Sequence, residues 1–280
     1  MKKQKDLPQR VVIFVICTLT AAFALVPFFF MLISSFKPGQ ELMRFGINLK
    51  IDTGVMNINN YRLLFTEAEG IYFRWYLNSA LIAFVQTVLS IGFSSMVGYG
   101  LAVYRFRMRG LVFALVMIVM MVPVEILLLP LYKLMINLRL YNTYAGIILP
   151  YAVSPFAVFF FRQYLAGIPR DYVDAARIDG CGEFRIYGRI MLPLMTPAIG
   201  AMTILQAMGS WNAFVWPMIV TGAREMMTLP VGLQTMITPY GNNYNMLMPG
   251  AVLAVIPIAV IFLCKQSSFI DGMTIGGVKG

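Results

Sequence analysis

Among the side chains with hydrogen-bonding or aromatic groups within apolar stretches of this sequence, four are candidates for binding a ligand: Glu125, Gln206, Trp211 and Asn212. Polar groups in such stretches are costly and tend to face the interior of a helix bundle. An aromatic face beside amide and carboxylate groups is suited to binding a sugar. The same side chains could instead contact neighbouring helices or hold the segment around Trp211 in shape, and the sequence leaves both interpretations open.

The longest polar interruption spans residues 162–193. It contains five arginines and four acids, namely Arg162, Arg170, Arg177, Arg185, Arg189, Asp171, Asp174, Asp179 and Glu183. A long structured loop of this kind is more typical of a docking surface than of a tether. An amphipathic hairpin lying on the membrane surface is the alternative.

Local signals predict two short helices within this loop. Asp171 is placed as the N-cap of the first helix, with Asp174 at its third position, where a carboxylate also favours the helix dipole. Gly180 fits the left-handed residue that ends a helix. A second helix is predicted over residues 183–191, ending before Pro193.

Several chemistries are excluded by residue types that the sequence lacks. Histidine is absent, and Cys17, Cys181 and Cys264 have no CxxC spacing, so neither a metal site nor a disulfide framework is indicated. There is no paired-acid site, no nucleophile–base set and no HExxH motif. GxxxxGK[ST] is also missing, so this chain does not bind ATP by a P-loop. We therefore expect a protein that is not an enzyme and binds no cofactor itself.

Composition places the chain in the membrane class. Hydrophobic residues make up 59% and charged residues 12%, against about 45–50% and about 25% in soluble domains. The net charge of +10 does not indicate nucleic-acid binding, because the basic residues are scattered at the ends of apolar runs. The first apolar run is longer than the core of a signal peptide and is interpreted as a retained span.

Six apolar segments of near-spanning length predict an all-α integral membrane protein, a bundle of six helices in one domain over residues 1–280. They cover residues 11–36, 77–104, 111–131, 144–161, 196–221 and 248–264. Basic residues are more numerous on one side, which predicts cytoplasmic N- and C-termini and a cytoplasmic loop between spans four and five. If residues 111–131 form one helix, Glu125 lies about 21 Å along it from Leu111, toward the outer face.

Small residues and prolines suggest how these helices pack. Ser90, Ser94, Gly98 and Ala102 recur at every fourth position of the second segment, a ridge that allows close approach of another helix. Prolines interrupt most other segments and predict kinks. They are Pro27, Pro123, Pro150, Pro155, Pro217 and Pro257. Kinked spans suit a protein that opens and closes, although simple packing adaptation is equally compatible.

The loop also carries a specific resemblance. The stretch DAARIDGCGEFRIYGRIMLP resembles the EAA loop of ABC-importer permeases, whose pattern is E-A-A, then D-G, then I-x-L-P. The matching residues are Asp174, Ala175, Ala176, Asp179, Gly180, Ile190, Leu192 and Pro193, with Asp174 where the family usually has Glu. Nearly the whole chain is similar to the MalG-like permeases of carbohydrate importers. The supporting segments include NINNYRLLF, WNAFVWPMIV and the terminal FIDGMTIGGVKG.

This resemblance implies a mechanism and a set of partners. The loop, with Arg177 inside the motif, would form a coupling helix seated in a cytoplasmic ATPase. ATP and Mg would be bound by two copies of that ATPase. A second homologous permease chain would supply the other half of the path, and an extracytoplasmic sugar-binding protein would deliver the sugar. The C-terminal tail, residues 265–280, would reach the ATPase through Gly276, Gly277, Val278, Lys279 and Gly280.

The resemblance therefore implies a multi-pass permease of a bacterial cell membrane that imports sugars, most simply oligosaccharides. An ion-gradient-driven secondary transporter is the alternative. That class favours several intramembrane ionisable groups and inverted repeats, of which Glu125 alone is slight support. It would also leave the polar loop unexplained.

Overall fold

The computed structural model describes residues 7–46, 50–237 and 243–275, and these residues form helices and turns with no strand among them. The predicted all-α class is therefore confirmed for the described chain. The helices in chain order are α1 Leu7–Ser35, α2 Gly39–Phe45, α3 Asn59–Thr66, α4 Ile71–Val103, α5 Arg109–Met121, α6 Val124–Asn137, α7 Tyr144–Ile148, α8 Pro155–Ala166, α9 Asp171–Ile178, α10 Glu183–Leu194, α11 Thr196–Trp211, α12 Val215–Val220, α13 Leu229–Gln234 and α14 Tyr244–Ile275.

Three helices among the described residues are long and apolar enough to cross a membrane: α1, α4 and the Tyr244–Cys264 part of α14. Three more candidates are pairs of helices joined at a bend. The bend is 100° between α5 and α6, 41° between Tyr144–Tyr151 and α8, and 78° between α10 and α11. Counting each pair as one span gives up to six, so the exact number of spans stays a prediction.

Prolines cause two of these bends. Val122 precedes Pro123 and Ser154 precedes Pro155, and both preceding residues are extended, with ψ of 120° and 116°. A proline ring disfavours the helical conformation of the residue before it. The kinks predicted at Pro123 and Pro155 are therefore confirmed, and neither residues 111–131 nor residues 144–161 form one straight helix. The depth of Glu125 measured along a straight helix is wrong for the same reason.

The predicted fifth segment is also interrupted. Helix α11 ends at Trp211, residues 212–214 are not helical, and α12 begins at Val215. Pro217 accounts for the break, because its ring in a continuous helix would clash with the carbonyl of Ala213. The second loop helix, α10, was predicted to end before Pro193, and this prediction is wrong because the helix is longer. A π turn at Tyr187–Met191 widens α10, and the helix continues through Pro193 to Leu194.

The chain divides into two compact units, one of residues 1–73 and 233–256 and the other of residues 74–232 and 257–280. In the first unit, the Asn60 side chain donates hydrogen bonds to the carbonyls of Ser35 and Lys37 at 3.0 and 2.7 Å. The hydroxyls of Ser35 and Tyr61 are also 2.8 Å apart. These contacts fix α3 against the end of α1.

The second unit contains the candidate functional regions. One apolar core of the described residues joins α4, α8 and α11 to the loop helices. That core comprises Tyr99, Ala102, Ala157, Phe161, Leu165, Val173, Ala176, Ile186, Met191, Met195, Ala198 and Met202. The small-residue ridge of α4 faces this interior, because Ser90, Ser94, Gly98 and Ala102 are all buried. The Ser94 hydroxyl also accepts a hydrogen bond from the Ser154 N–H at 3.1 Å. The predicted packing role of the ridge is confirmed.

Candidate functional site

Helix α9 begins one residue earlier than the sequence predicts. Arg170 is the N-cap, it is itself helical (φ −69°, ψ −20°), and no side chain caps the helix. The prediction of Asp171 as N-cap is therefore wrong, and Asp171 is the first helical residue. Both Asp171 and Asp174 lie in the first turn, where their negative charge favours the positive end of the helix dipole.

The end of α9 agrees with prediction. Gly180 has φ of +76°, a left-handed conformation that glycine adopts without cost from a side chain. Its N–H bonds to the carbonyl of Arg177 at 3.0 Å, and the N–H of Cys181 bonds to the carbonyl of Ala176 at 2.9 Å. This pair of bonds is the Schellman motif. It turns the chain sharply from α9 toward α10.

Helix α9 has one buried face and one exposed face. Val173 and Ala176 are buried in the core of the second unit. Among the predicted coupling residues, those exposed in this chain are Asp174, Ala175, Arg177, Asp179, Gly180 and Pro193, whereas Ala176 is buried and Leu192 is half-buried. The buried Ala176 therefore anchors the helix. The exposed residues of α9 form the surface that is available to a partner.

Two apolar residues of this surface were not predicted from the sequence. Ile178 is 87% exposed and Phe184 is 91% exposed, on either side of the turn at Gly180. We call Asp174, Ala175, Arg177, Ile178, Asp179 and Phe184 the loop surface. Large apolar side chains left open in a polar loop are typical of protein contacts. Their position in that loop is the signal that could have identified them.

A polar network connects the loop to the end of α4. The Arg177 Nε–H donates to one Glu183 oxygen at 2.9 Å, and the Tyr104 hydroxyl donates to the other at 2.6 Å. These two hydrogen bonds lower the pKa of the Glu183 carboxyl below its ordinary value. Burial, followed by the bond to Glu183, raises the pKa of Tyr104, so its hydroxyl remains a donor at neutral pH. The network joins α9, α10 and α4.

The four predicted path residues do not form one cluster. Gln206 lines a cavity of about 390 Å³ between α4, α7, α11 and α12. Trp211 lines a different, apolar cavity of about 650 Å³ and packs edge-on against Tyr76 at 5.2 Å. Asn212 is exposed where α11 ends, and Glu125 is exposed in the first turn of α6. The predicted tail residues 276–280 lie outside the described part of the chain.

The fold is shared with a solved transporter chain. The chain superposes on a bacterial ABC transporter involved in the import of the acidic polysaccharide alginate with a TM-score of 0.79 and 20% identity, covering 95% of this chain and 98% of that one. A family model described as the binding-protein-dependent transport system inner membrane component matches residues 90–268. The chain belongs to this family, so it is a membrane protein and a transport permease rather than an enzyme.

Curated relatives of the chain are permeases of the same family. The chain is 56% identical to the arabinooligosaccharides transport system permease protein AraQ of Bacillus subtilis, over 91% of each chain. It is 31% identical to the lactose transport system permease protein LacG of Rhizobium radiobacter, over 94% of each. It is 33% identical to the sn-glycerol-3-phosphate transport system permease protein UgpE of Brucella suis, over 88% of this chain and 89% of that one. The predicted resemblance to sugar-importer permeases is confirmed.

Proposed function

We propose that this chain is one permease subunit of an ATP-driven, binding-protein-dependent importer of oligosaccharides, coupled through α9 to a separate cytoplasmic ATPase. The observation that carries the coupling proposal is the construction of α9. Val173 and Ala176 fix the helix to the membrane core, while the loop surface stays open. A rigid helix held in this way can transmit a ligand-driven movement of its partner to the bundle.

The remaining parts of the importer follow from this proposal. Two copies of the ATPase bind ATP and Mg, a second permease chain completes the path, and an extracytoplasmic binding protein delivers the sugar. The bundle has six spans with both termini in the cytoplasm. The excess of basic residues in the segments assigned to that side supports this orientation. Residues 276–280 extend the contact with the ATPase.

Arabino-oligosaccharides are the proposed substrate class. The relative named for them shares 56% identity over 91% of each chain. The relative named for lactose shares 31% over a similar length. Both names specify sugars of more than one unit, and the higher identity favours the arabinose-containing class.

Transport by the assembled complex in proteoliposomes tests the proposal. We expect labelled arabinotriose to accumulate when ATP is supplied on the ATPase side, and accumulation to persist when a protonophore collapses the proton gradient. The control complex carries an ATPase whose P-loop lysine is replaced by alanine and should not accumulate sugar. Uptake that continues without ATP and stops with the protonophore would establish secondary transport instead.

A further inference from the structure

The 390 Å³ cavity lined by Gln206 lies within the second unit and has the size of a small-molecule site, for which about 300–1,000 Å³ is typical. We call it the polar cavity. Its lining residues come from several elements of that unit. They are Ile82, Gln86, Ile147, Tyr151, Gln206, Gly209, Ser210, Ala213, Phe214, Val215, Trp216 and Pro217.

The polar side chains of this cavity have hydrogen-bonding capacity to spare. The Ser210 hydroxyl donates to Gln86 Oε1 at 3.1 Å, which fixes the Gln86 amide and leaves its NH₂ group as a donor. Within the described part of the chain, neither the Tyr151 hydroxyl nor the Gln206 amide makes a hydrogen bond. Unsatisfied polar groups among apolar surroundings are costly. A polar solute or water must therefore complete them.

Aromatic rings form another side of the cavity. The Trp216 indole N–H donates to the carbonyl of Gly146 at 3.2 Å, which holds the ring in place. Tyr151 meets the same ring edge-on, with centroids 6.5 Å apart. Phe214 also lines the cavity. Aromatic faces beside a few placed hydrogen-bonding groups are the usual lining of a site for a neutral organic ligand.

The backbone around the polar cavity is a second, independent indication of a solute site. The non-helical segment 212–214 between α11 and α12 contributes Ala213 and Phe214 to the lining. Irregular backbone at membrane depth is tolerated where it lines a cavity or is buried in protein, and in transporters interrupted helices of this kind form solute sites. The short helix that ends at Tyr151 also precedes a break, at residues 152–154. The break at residues 212–214 thus lines the polar cavity, whereas the second break contributes only the preceding Tyr151.

The charge of the lining narrows the ligand class. Among the described residues that line the cavity, Tyr151 alone has a side chain that can ionise, and none is a lysine or an arginine. A phosphate or carboxylate would be unfavourable in such a cavity, because no cation of the lining would offset its lost hydration. The lining therefore fits an uncharged polyhydroxylated ring.

We infer that the polar cavity is a sugar subsite of this chain, which holds one neutral sugar ring of the oligosaccharide through Gln86, Tyr151 and Gln206 and against Trp216. This inference rests on the proposed function and deepens it. The binding protein is expected to capture the sugar from solution, so the subsite acts after delivery. Loss of a contact there should reduce the sugar transported for each ATP hydrolysed rather than the apparent affinity for external sugar.

Protection of a cysteine from labelling tests the site directly, without a transport measurement. In the assembled complex, with Cys17, Cys181 and Cys264 replaced by serine, we introduce Gln206→Cys and label it with a small water-soluble maleimide. Millimolar arabinotriose should slow labelling at least about threefold, and triglycine at the same concentration should not. The matched control is Glu225→Cys, an exposed position, whose labelling should not change with either solute. Equal rates for Gln206→Cys with and without arabinotriose would overturn the inference.

Removal of one hydroxyl provides the second measurement. Tyr151→Phe keeps the ring against Trp216 and should lower arabinotriose transported per ATP by about 3- to 10-fold, the range expected for one hydrogen bond. Tyr132→Phe is the control, because Tyr132 packs beside the same core but does not line the cavity. Transport per ATP equal in the two variants would contradict the subsite. Failure of the proposed function is distinguishable, because the unmodified complex would then show no ATP-dependent uptake at all.

Discussion

A Cβ atom on Gly98 would lie 2.8 Å from the Cβ of Phe161 and 3.1 Å from the backbone nitrogen of Arg162. Helices α4 and α8 thus meet at this point with no side chain of α4 between them. The contact belongs to the small-residue ridge, and it joins α4 to the helix that leads into the loop. Glycine is required here by space and not by backbone conformation.

Gly98→Ala should therefore destabilise the protein by about 1–3 kcal/mol, the usual cost of inserting an atom into a packed core. Gly100→Ala is the matched control on the same helix, because no atom lies within 4 Å of the position that a Cβ would take there. That change should leave stability equal or raise it by up to about 1 kcal/mol, since alanine favours a helix over glycine. Thermal unfolding of the detergent-solubilised chain measures both, and equal melting temperatures for the two variants would contradict the packing argument.

The bond between Tyr104 and Glu183 predicts an effect on coupling. Tyr104→Phe removes the 2.6 Å bond that joins the end of α4 to α10. We expect sugar uptake to fall about 2- to 5-fold, within the range for one partly exposed hydrogen bond, while ATP hydrolysis by the complex stays within about twofold of the original. Adding Tyr104→Phe to a Glu183→Ala background should have little further effect, because the partner is already gone. If Tyr104→Phe lowers sugar uptake as much in the Glu183→Ala background as in the original chain, Tyr104 acts through a contact other than Glu183.

The lowered pKa of Glu183 predicts the pH dependence of the network. Its folded-state pKa is below the unfolded value of about 4.3. Its ionised form therefore adds stability above that pH, and the contribution is lost as the pH falls through the folded-state pKa. The difference in melting temperature between the original chain and Glu183→Gln should stay constant from about pH 6 to 8 and shrink below about pH 4.5. A difference that changes between pH 6 and 8 would contradict this assignment.

The sequence predicted the features that depend on local chemistry. The left-handed Gly180, the buried ridge from Ser90 to Ala102 and the all-helical class follow from backbone freedom, side-chain size and apolar length, and the described chain has all three. The loop was located as the longest polar interruption, and its motif spacing then gave the resemblance to the EAA loop. Each of these features follows from a strong local preference, either of one residue type at one position or of a long apolar stretch.

Features that depend on tertiary context were predicted poorly. Kinks were predicted at Pro123 and Pro217, where the structure breaks the helices, but nothing local reveals that Pro193 is accommodated by a π turn. Trp211 and Gln206, five residues apart, were grouped by proximity in sequence, yet they line different cavities. Gln86 and Tyr151 were missed because each lies in a separate apolar segment, and only the fold brings them to Gln206.

Exposure of Ile178 and Phe184 predicts their role in binding the ATPase. Replacing either with serine should weaken capture of the ATPase by the tagged permease about 10-fold or more, because exposed apolar anchors often dominate an interface. Phe184→Leu should retain most of the binding, since it preserves apolar area. Co-purification in detergent at graded ATPase concentrations measures all three variants. Binding that is the same for Phe184→Ser and Phe184→Leu would show that this side chain is not in the interface.

The conformation of Gly180 predicts a selective effect of a β-branched side chain. A Cβ on Gly180 would meet no atom within 4 Å, so the cost of Gly180→Val comes from its φ of +76° alone, about 1–2 kcal/mol or more for a residue other than glycine. Because this strain opposes the Schellman turn that orients α9, uptake per ATP should fall while the complex still assembles. Gly180→Asn should be nearly normal, since asparagine tolerates the left-handed conformation.

Gly182→Val is the matched control for Gly180→Val. Gly182 lies two residues away, has an ordinary φ of −69°, and also has open space around a Cβ atom. Both substitutions add the same side chain to the same turn, so only the backbone conformation differs between them. Transport assays of the two variants at equal complex yield should show a loss for Gly180→Val and none for Gly182→Val. An equal loss in both would mean that added bulk at this turn, rather than its left-handed conformation, limits coupling.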